Sequence, residues 1–130
     1  HQPGQAQTLK IMDLAVHPAI ETDTSGIPLD TSVISYNLNF KINRADLAGT
    51  VHIQVGTTQD SGDILSNTAS IEQQNGQYSI SGNGSSTPIN GYKASIKLDL
   101  TRQQEEASRY ITLYVVDNQG QETGHLYFKK

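Results

Sequence analysis

Residues 34–43 read ISYNLNFKIN, and apolar and polar side chains alternate along this stretch without a break. In a β-strand successive side chains point to opposite faces, so the apolar side chains at every second position from Ile34 to Ile42 would share one face. A helix would scatter the same side chains around its axis. The stretch therefore predicts a strand with one buried and one solvated face, which is typical of antiparallel sheets.

Four further segments carry strand patterns, at residues 51–55, 94–100, 110–116 and 126–128. The run at 110–116 is apolar at both parities and rich in β-branched and aromatic types, so we expect it to lie centrally in its sheet.

The first predicted strand, at residues 9–16, changes parity part-way along. Leu9 and Ile11 occupy one parity, whereas Leu14 and Val16 occupy the other. A slip of one residue around residues 12–13 would flip the face of the strand, so we predict a β-bulge or a switch of sheet there. Pro18 lacks a backbone donor and favours an edge strand or a strand end.

Turn signals separate the predicted strands. Asn75-Gly76 suits a two-residue hairpin, because both residues tolerate positive φ, and residues 117–120 (DNQG) predict a second hairpin. Residues 59–63 and 82–88 are predicted loops. In residues 101–108 the Thr101 to Gln104 spacing matches a capping box, which predicts one short helical turn between two strands.

Seven or eight strands at this spacing predict an all-β fold, an antiparallel two-sheet β-sandwich, with a closed barrel as the alternative. We expect a single domain over residues 8–130 behind a flexible lead-in at residues 1–7. The chain contains no cysteine. Apolar packing alone would then have to hold the two sheets together.

Composition excludes several classes of function. The formal net charge of −4 argues against a nucleic-acid partner, and no apolar run is long enough for a membrane-spanning segment. Without cysteine there is no disulfide scaffold and no thiolate metal site. Gln, Ser, Thr and Asn together supply 44 of the 130 residues. This polar composition with few charges favours a secreted, periplasmic or cell-surface location.

The C-terminal third, residues 110–122 (YITLYVVDNQGQE), resembles the last strands of fibronectin type III or immunoglobulin-like domains of bacterial surface proteins. The resemblance implies that Tyr110 forms a tyrosine corner, in which its hydroxyl bonds back to the preceding loop. The chain lacks the core Trp and the Cys pair of antibody-type domains. The resemblance implies a structural or interaction module and transfers no functional residues.

Two groups of residues are candidate ligand sites. Asp60, Asp63 and Asn67 fall in one loop region and could supply oxygen ligands to calcium, although a solvated loop is the favoured interpretation. Tyr78, Tyr92 and Tyr127 could stack on sugar rings if they share one exposed surface, although half-buried packing is the favoured interpretation. No cofactor is expected.

The histidines show no metal-binding or catalytic spacing. His17, His52 and His125 lie far apart in sequence, so we interpret them as exposed surface residues. An enzyme with a dispersed site would require a pocket in which a carboxylate meets a histidine.

The sequence therefore favours a non-catalytic structural or adhesive module of an exported or cell-surface, bacterial protein. Its partners would be other proteins or domains of the same surface assembly, bound through sheet faces, loops or an edge strand. The alternative is a β-sandwich carbohydrate-binding module, with a glycan as the partner.

Overall fold

The computed structural model describes residues 8–19, 33–82 and 85–130. The predicted lead-in at residues 1–7 lies outside these described residues. Within them the chain forms nine strands, one α-helix and one 3₁₀ turn at Ala45–Leu47. The elements are β1 (Ile11–Ala19), β2 (Val33–Ile42), β3 (Ala48–Gly56), β4 (Leu65–Gln74), β5 (Gln77–Gly82), β6 (Ser85–Pro88), β7 (Lys93–Thr101), α1 (Arg102–Ala107), β8 (Tyr110–Asp117) and β9 (Leu126–Lys129).

The strands form two antiparallel sheets, which confirms the predicted all-β sandwich. One sheet has three strands in the order β1-β2-β7, and the other has six in the order β6-β5-β4-β3-β8-β9. Three described connections pass from one sheet to the other: β2 to β3, β6 to β7, and β7 through α1 to β8.

The alternating pattern decides which face of each strand is buried. On β2 the side chains of Leu38, Phe40 and Ile42 are almost fully inaccessible to solvent, whereas Asn37 and Lys41, at the alternate parity, are exposed. The inner faces of β3, β7 and β8 complete the same core. Burial of apolar surface at about 25 cal/mol per Å² is the main stabilising contribution, and it holds the two sheets face to face.

The predicted bulge in β1 is confirmed. The pairing of β1 with β2 shifts register between Met12 and Ala15, and Asp13 adopts a φ of 59°. Because of this extra residue, Leu14 and Val16 pack against the same core as Leu9 and Ile11. Strand β1 lies at the edge of its sheet, as Pro18 predicted.

The turns and the helix also follow the sequence. Asn75 and Gly76 have φ values of 53° and 79°, and they join β4 to β5 as the predicted hairpin. Thr101 and Gln104 form both bonds of a capping box at the start of α1. The Asp117 carboxylate accepts two backbone N–H groups within the turn that follows β8, at 2.8 Å each.

The strand count and the place of one strand differ from the prediction. Residues 85–88 form β6, although residues 82–88 were predicted as a loop. Its pairing with β5 joins backbone groups, such as those of Ser81 and Ser86, which a polar sequence does not reveal. Strand β8 is next to last in its sheet rather than central, but it is paired on both sides.

A polar link between the sheets accompanies the apolar core, so apolar packing alone does not hold them. The Tyr36 hydroxyl on β2 donates to Glu105 of α1 at 2.6 Å, and Lys130 Nζ lies 2.7 Å from the other oxygen of the same carboxylate. Lys130 also donates to the Ser108 hydroxyl. Burial and the Glu105 carboxylate raise the pKa of Tyr36, which keeps its hydroxyl a donor. The predicted tyrosine corner is absent from the described residues, in which the Tyr110 hydroxyl has no hydrogen bond.

Candidate functional site

The outer face of the six-stranded sheet brings together a group of four ionisable side chains. His125, just before β9, contacts two carboxylates: its Nδ1 lies 2.6 Å from Asp60, and its Nε2 lies 2.9 Å from Glu122. The Tyr127 hydroxyl donates to the second oxygen of Asp60 at 2.9 Å. We call these four residues the His125 cluster. It joins three segments: the loop between β3 and β4, the turn after β8, and β9.

The loop at residues 57–63 carries Asp60 over the outer face of β8. The Asp60 N–H donates to the Thr112 hydroxyl at 3.3 Å, and Thr112 is fully buried although it lies on the outer side of β8. Gly56 permits this path, because a Cβ there would lie 2.5 Å from the Asp63 carboxylate. Asp60 itself has a φ of 67°, a conformation that persists only where surrounding contacts enforce it.

Three aromatic rings stack across neighbouring strands beside the cluster. The His52 and Tyr114 centroids are 4.9 Å apart at an interplanar angle of 9°, and those of Tyr114 and His125 are 4.2 Å apart at 11°. His52 and Tyr114 are directly paired across β3 and β8, and the centroid distance matches the spacing between strands. The rings therefore stand on edge on the sheet, and their faces contact one another rather than solvent.

The geometry favours a protonated His125. Each ring nitrogen faces a carboxylate oxygen, and only the imidazolium donates from both nitrogens. Burial lowers the pKa of His125, but the hydrogen bonds and charges of Asp60 and Glu122 together outweigh it and raise the pKa above its ordinary value. The same hydrogen bond to His125, helped by Tyr127, holds the pKa of Asp60 below its usual range.

This arrangement is suited to holding segments together rather than to proton transfer or metal binding. Both nitrogens of His125 are occupied from opposite sides of the ring, so no lone pair remains to accept a proton or to ligate a cation. Among the described residues, no group of three or more histidine or carboxylate side chains is placed to bind a metal ion. The cluster ties the 57–63 loop and the turn after β8 to the end of the sheet.

The three calcium candidates lie apart. Asp60 contacts His125 on the outer side of the sheet, whereas Asn67 on β4 pairs with the buried Ile53 and lies on the core side. The Asp63 carboxylate accepts hydrogen bonds from the Ser61 hydroxyl and from the backbone and hydroxyl of Thr57, which lower its pKa. The Asp63 carboxylate therefore stabilises the conformation of its own loop.

The three tyrosine candidates occupy three separate places. Tyr78 shares the inner face of β5 with Ile80 and packs against the core. Tyr127 lies on the outer face of β9 and is 41% exposed, and four strand spacings, about 19 Å, separate β5 from β9. Tyr92 is 69% exposed in the turn before β7, in the other sheet. They form no shared platform.

The histidines behave differently from one another. His17 is exposed on β1, as predicted. His52 and His125 lie at the polar parity predicted for them, but His52 is half-buried and the His125 side chain is only 21% exposed, so the interpretation of both as exposed surface residues was wrong. The signal that sequence reasoning missed is the shared outward parity of His52, Tyr114 and His125, which becomes a stack only once β3 and β8 are known to pair.

No family model, no curated protein sequence and no solved structure matches this chain. Within the described part of the chain, no helix combines the length and hydrophobicity that crossing a membrane requires.

Proposed function

We propose that this chain is a non-catalytic interaction module of an exported or cell-surface protein. The observation that carries the proposal is the His125 cluster, in which the ionisable side chains use their hydrogen-bonding capacity on one another. A general base needs a nitrogen that is free to accept a proton from a substrate, and His125 has none. Because these hydrogen bonds hold the surface loops in one conformation, they favour a preformed binding surface.

The contact of a histidine with carboxylates is the feature that a dispersed enzyme site would require. The cluster lies on the outer face of the sheet, and Asp60 and Glu122 remain 45% and 56% exposed in their side chains. An exposed, hydrogen-bonded group of this kind lacks the water-excluded environment that makes electrostatic catalysis effective. We therefore favour a scaffold role for His125.

Kinship with immunoglobulin-like domains is part of the proposal. In that architecture strands A, B and E face strands C, F and G, and some domains extend the second sheet beyond strand C. Strands β1, β2 and β7 would correspond to A, B and E, and β3, β8 and β9 to C, F and G, with β4, β5 and β6 as the extension. Domains of this architecture commonly present loops and sheet faces to partners.

The test compares turnover with binding. The wild-type chain and the His125→Gln variant would be assayed against chromogenic esters, phosphate esters and glycosides, and the same samples against immobilised surface proteins and glycans. We expect no turnover above buffer and saturable binding to at least one immobilised partner. Turnover that the His125→Gln variant loses would overturn the non-catalytic assignment. Fractionation of the source cells tests the location: recovery from the cytosol alone would contradict it.

A further inference from the structure

A groove of about 360 Å³ crosses the outer side of the three-stranded sheet, on the molecule's other face from the His125 cluster. It runs from the β1 bulge at Asp13, past Asn39 and Lys41 on β2, to Lys93 and Ser95 on β7. Thr87, Pro88 and Asn90 close it beyond the edge of β7. The volume lies near the lower end of the range for small-molecule sites.

Most polar side chains of the groove have no hydrogen-bond partner among the described residues, in contrast to those of the His125 cluster. Among the described residues, the side chains of Asn39, Asn90, Lys93 and Ser95 make no hydrogen bond or ion pair. Lys41 contacts Asp13 at 3.3 Å, but both side chains are more than half exposed, so this pair is weak. The groove therefore offers amide, hydroxyl and ammonium groups to a ligand without breaking existing bonds.

The strand ladder fixes the spacing of four of these groups. Asn39 pairs with Ser95, and Lys41 pairs with Lys93, all on the outward parity of β2 and β7. Two residues along a strand span about 7 Å and neighbouring strands lie about 5 Å apart, so the four side chains start from the corners of a rectangle of these dimensions. A ligand that contacts all four side chains must cover an area of these dimensions.

The charged side chains that line the groove indicate which class of ligand it would bind. The groove contains two lysines against one aspartate, although the whole chain has a net charge of −4. Asp13 would repel an anion at the β1 end, so an acidic group would lie at the end that holds the unpaired Lys93. Tyr92, exposed in the turn between Asn90 and Lys93, adds the kind of aromatic side chain on which sugars stack.

We propose that this groove binds a carboxylated sugar, a uronic acid unit of an oligosaccharide, with the carboxylate at Lys93 and the ring hydroxyls at Asn39 and Ser95. The inference rests on the proposed interaction function and names the ligand class of one of its surfaces. Backbone pairing of β2 with β7 holds the groove in place, so little ordering is needed on binding.

The probe is trigalacturonic acid, and its methyl ester is the matched control that keeps the hydroxyl groups and removes the charge. Amide chemical shifts and titration calorimetry would be recorded on the full chain and on Lys93→Gln, Asn39→Ala and the control Lys129→Gln on β9. We expect shifts confined to β2, β7 and residues 87–93, and affinity about fivefold weaker for the ester and for Lys93→Gln. Asn39→Ala should weaken binding to a similar degree, and Lys129→Gln should leave it unchanged.

Each other outcome overturns the inference. Equal affinity for acid and ester would remove the carboxylate from the recognised class, and shifts centred on the His125 cluster would place the ligand elsewhere. Unchanged affinity in Lys93→Gln, with an unaltered amide spectrum that shows the variant is folded, would exclude the groove. If no saccharide binds while an immobilised protein still does, this inference fails and the proposed interaction function stands; enzymatic turnover would instead overturn that function.

Discussion

Replacing His125 by Gln should lower the stability of the fold in a pH-dependent manner. The imidazolium joins Asp60 and Glu122, and its own side chain is 21% exposed while those of the carboxylates are 45% and 56% exposed. Exposed ion pairs contribute about 0–1 kcal/mol, and hydrogen bonds to charged groups at less exposed sites about 1.5–3 kcal/mol. We therefore expect the contact of His125 with Asp60 to add about 1 kcal/mol to the free energy of unfolding. The contact with Glu122 should add about half of that, because the greater exposure of Glu122 weakens the second pair.

The sign of the pH dependence follows from the two pKa shifts. The pKa of His125 is raised in the folded chain, so its contribution is complete below the unfolded value, about 6.5, and is lost as the pH rises through the folded pKa. The pKa of Asp60 is lowered, so its contribution is present above about 3.9 and is lost as the pH falls through the folded pKa. Tyr114 and Tyr127 have raised pKa values and stay protonated across this window.

Urea unfolding followed by far-ultraviolet circular dichroism would measure the free energy of unfolding of the wild type and the variant at about pH 5.5 and about pH 8.5. The loss caused by His125→Gln should be about 1.5 kcal/mol larger at the lower pH than at the higher one. His17→Gln, at an exposed histidine on β1, should show the same small effect at both. An equal loss at both pH values, or a larger loss at the higher one, would refute the assignment of a doubly paired imidazolium.

Three further substitutions test the framework around the site, each by urea unfolding. Gly56→Ala should destabilise by about 2 kcal/mol because its Cβ would overlap the 57–63 loop, whereas Gly124→Ala, with no atom within 4 Å of a Cβ, should stay within about 0.5 kcal/mol. Thr101→Ala should cost about 1 kcal/mol by removing the capping box, and Thr101→Ser should restore most of it. Lys130→Gln should cost about 1 kcal/mol by breaking the link between the sheets, and the exposed Lys129→Gln much less; equal effects would contradict that link.

The side chains that face inward were predictable because the period of two is a local property of a strand. Three local patterns each specify the conformation of a few residues: the alternation from Ile34 to Ile42, the parity change at residues 12–13, and the Asn75-Gly76 turn. Strand β6 escaped prediction because backbone pairing with β5 creates it and its polar side chains carry no pattern. The candidate site escaped for a related reason: His125 and Asp60 are separated by 65 positions, and nothing local links them.

By itself, the sequence determined an all-β chain in which most strands have one solvated and one buried face, because hydrophobic burial acts on an alternation that is written in the order of residues. It also determined the turns, where a few residues with positive φ decide the local path. Only the tertiary structure decided which polar residues meet. The order of strands placed His52, Tyr114 and His125 side by side, and the path of one loop carried Asp60 to them. The same strand order set Lys93 opposite Lys41, because neighbours across a sheet are fixed by pairing between distant segments.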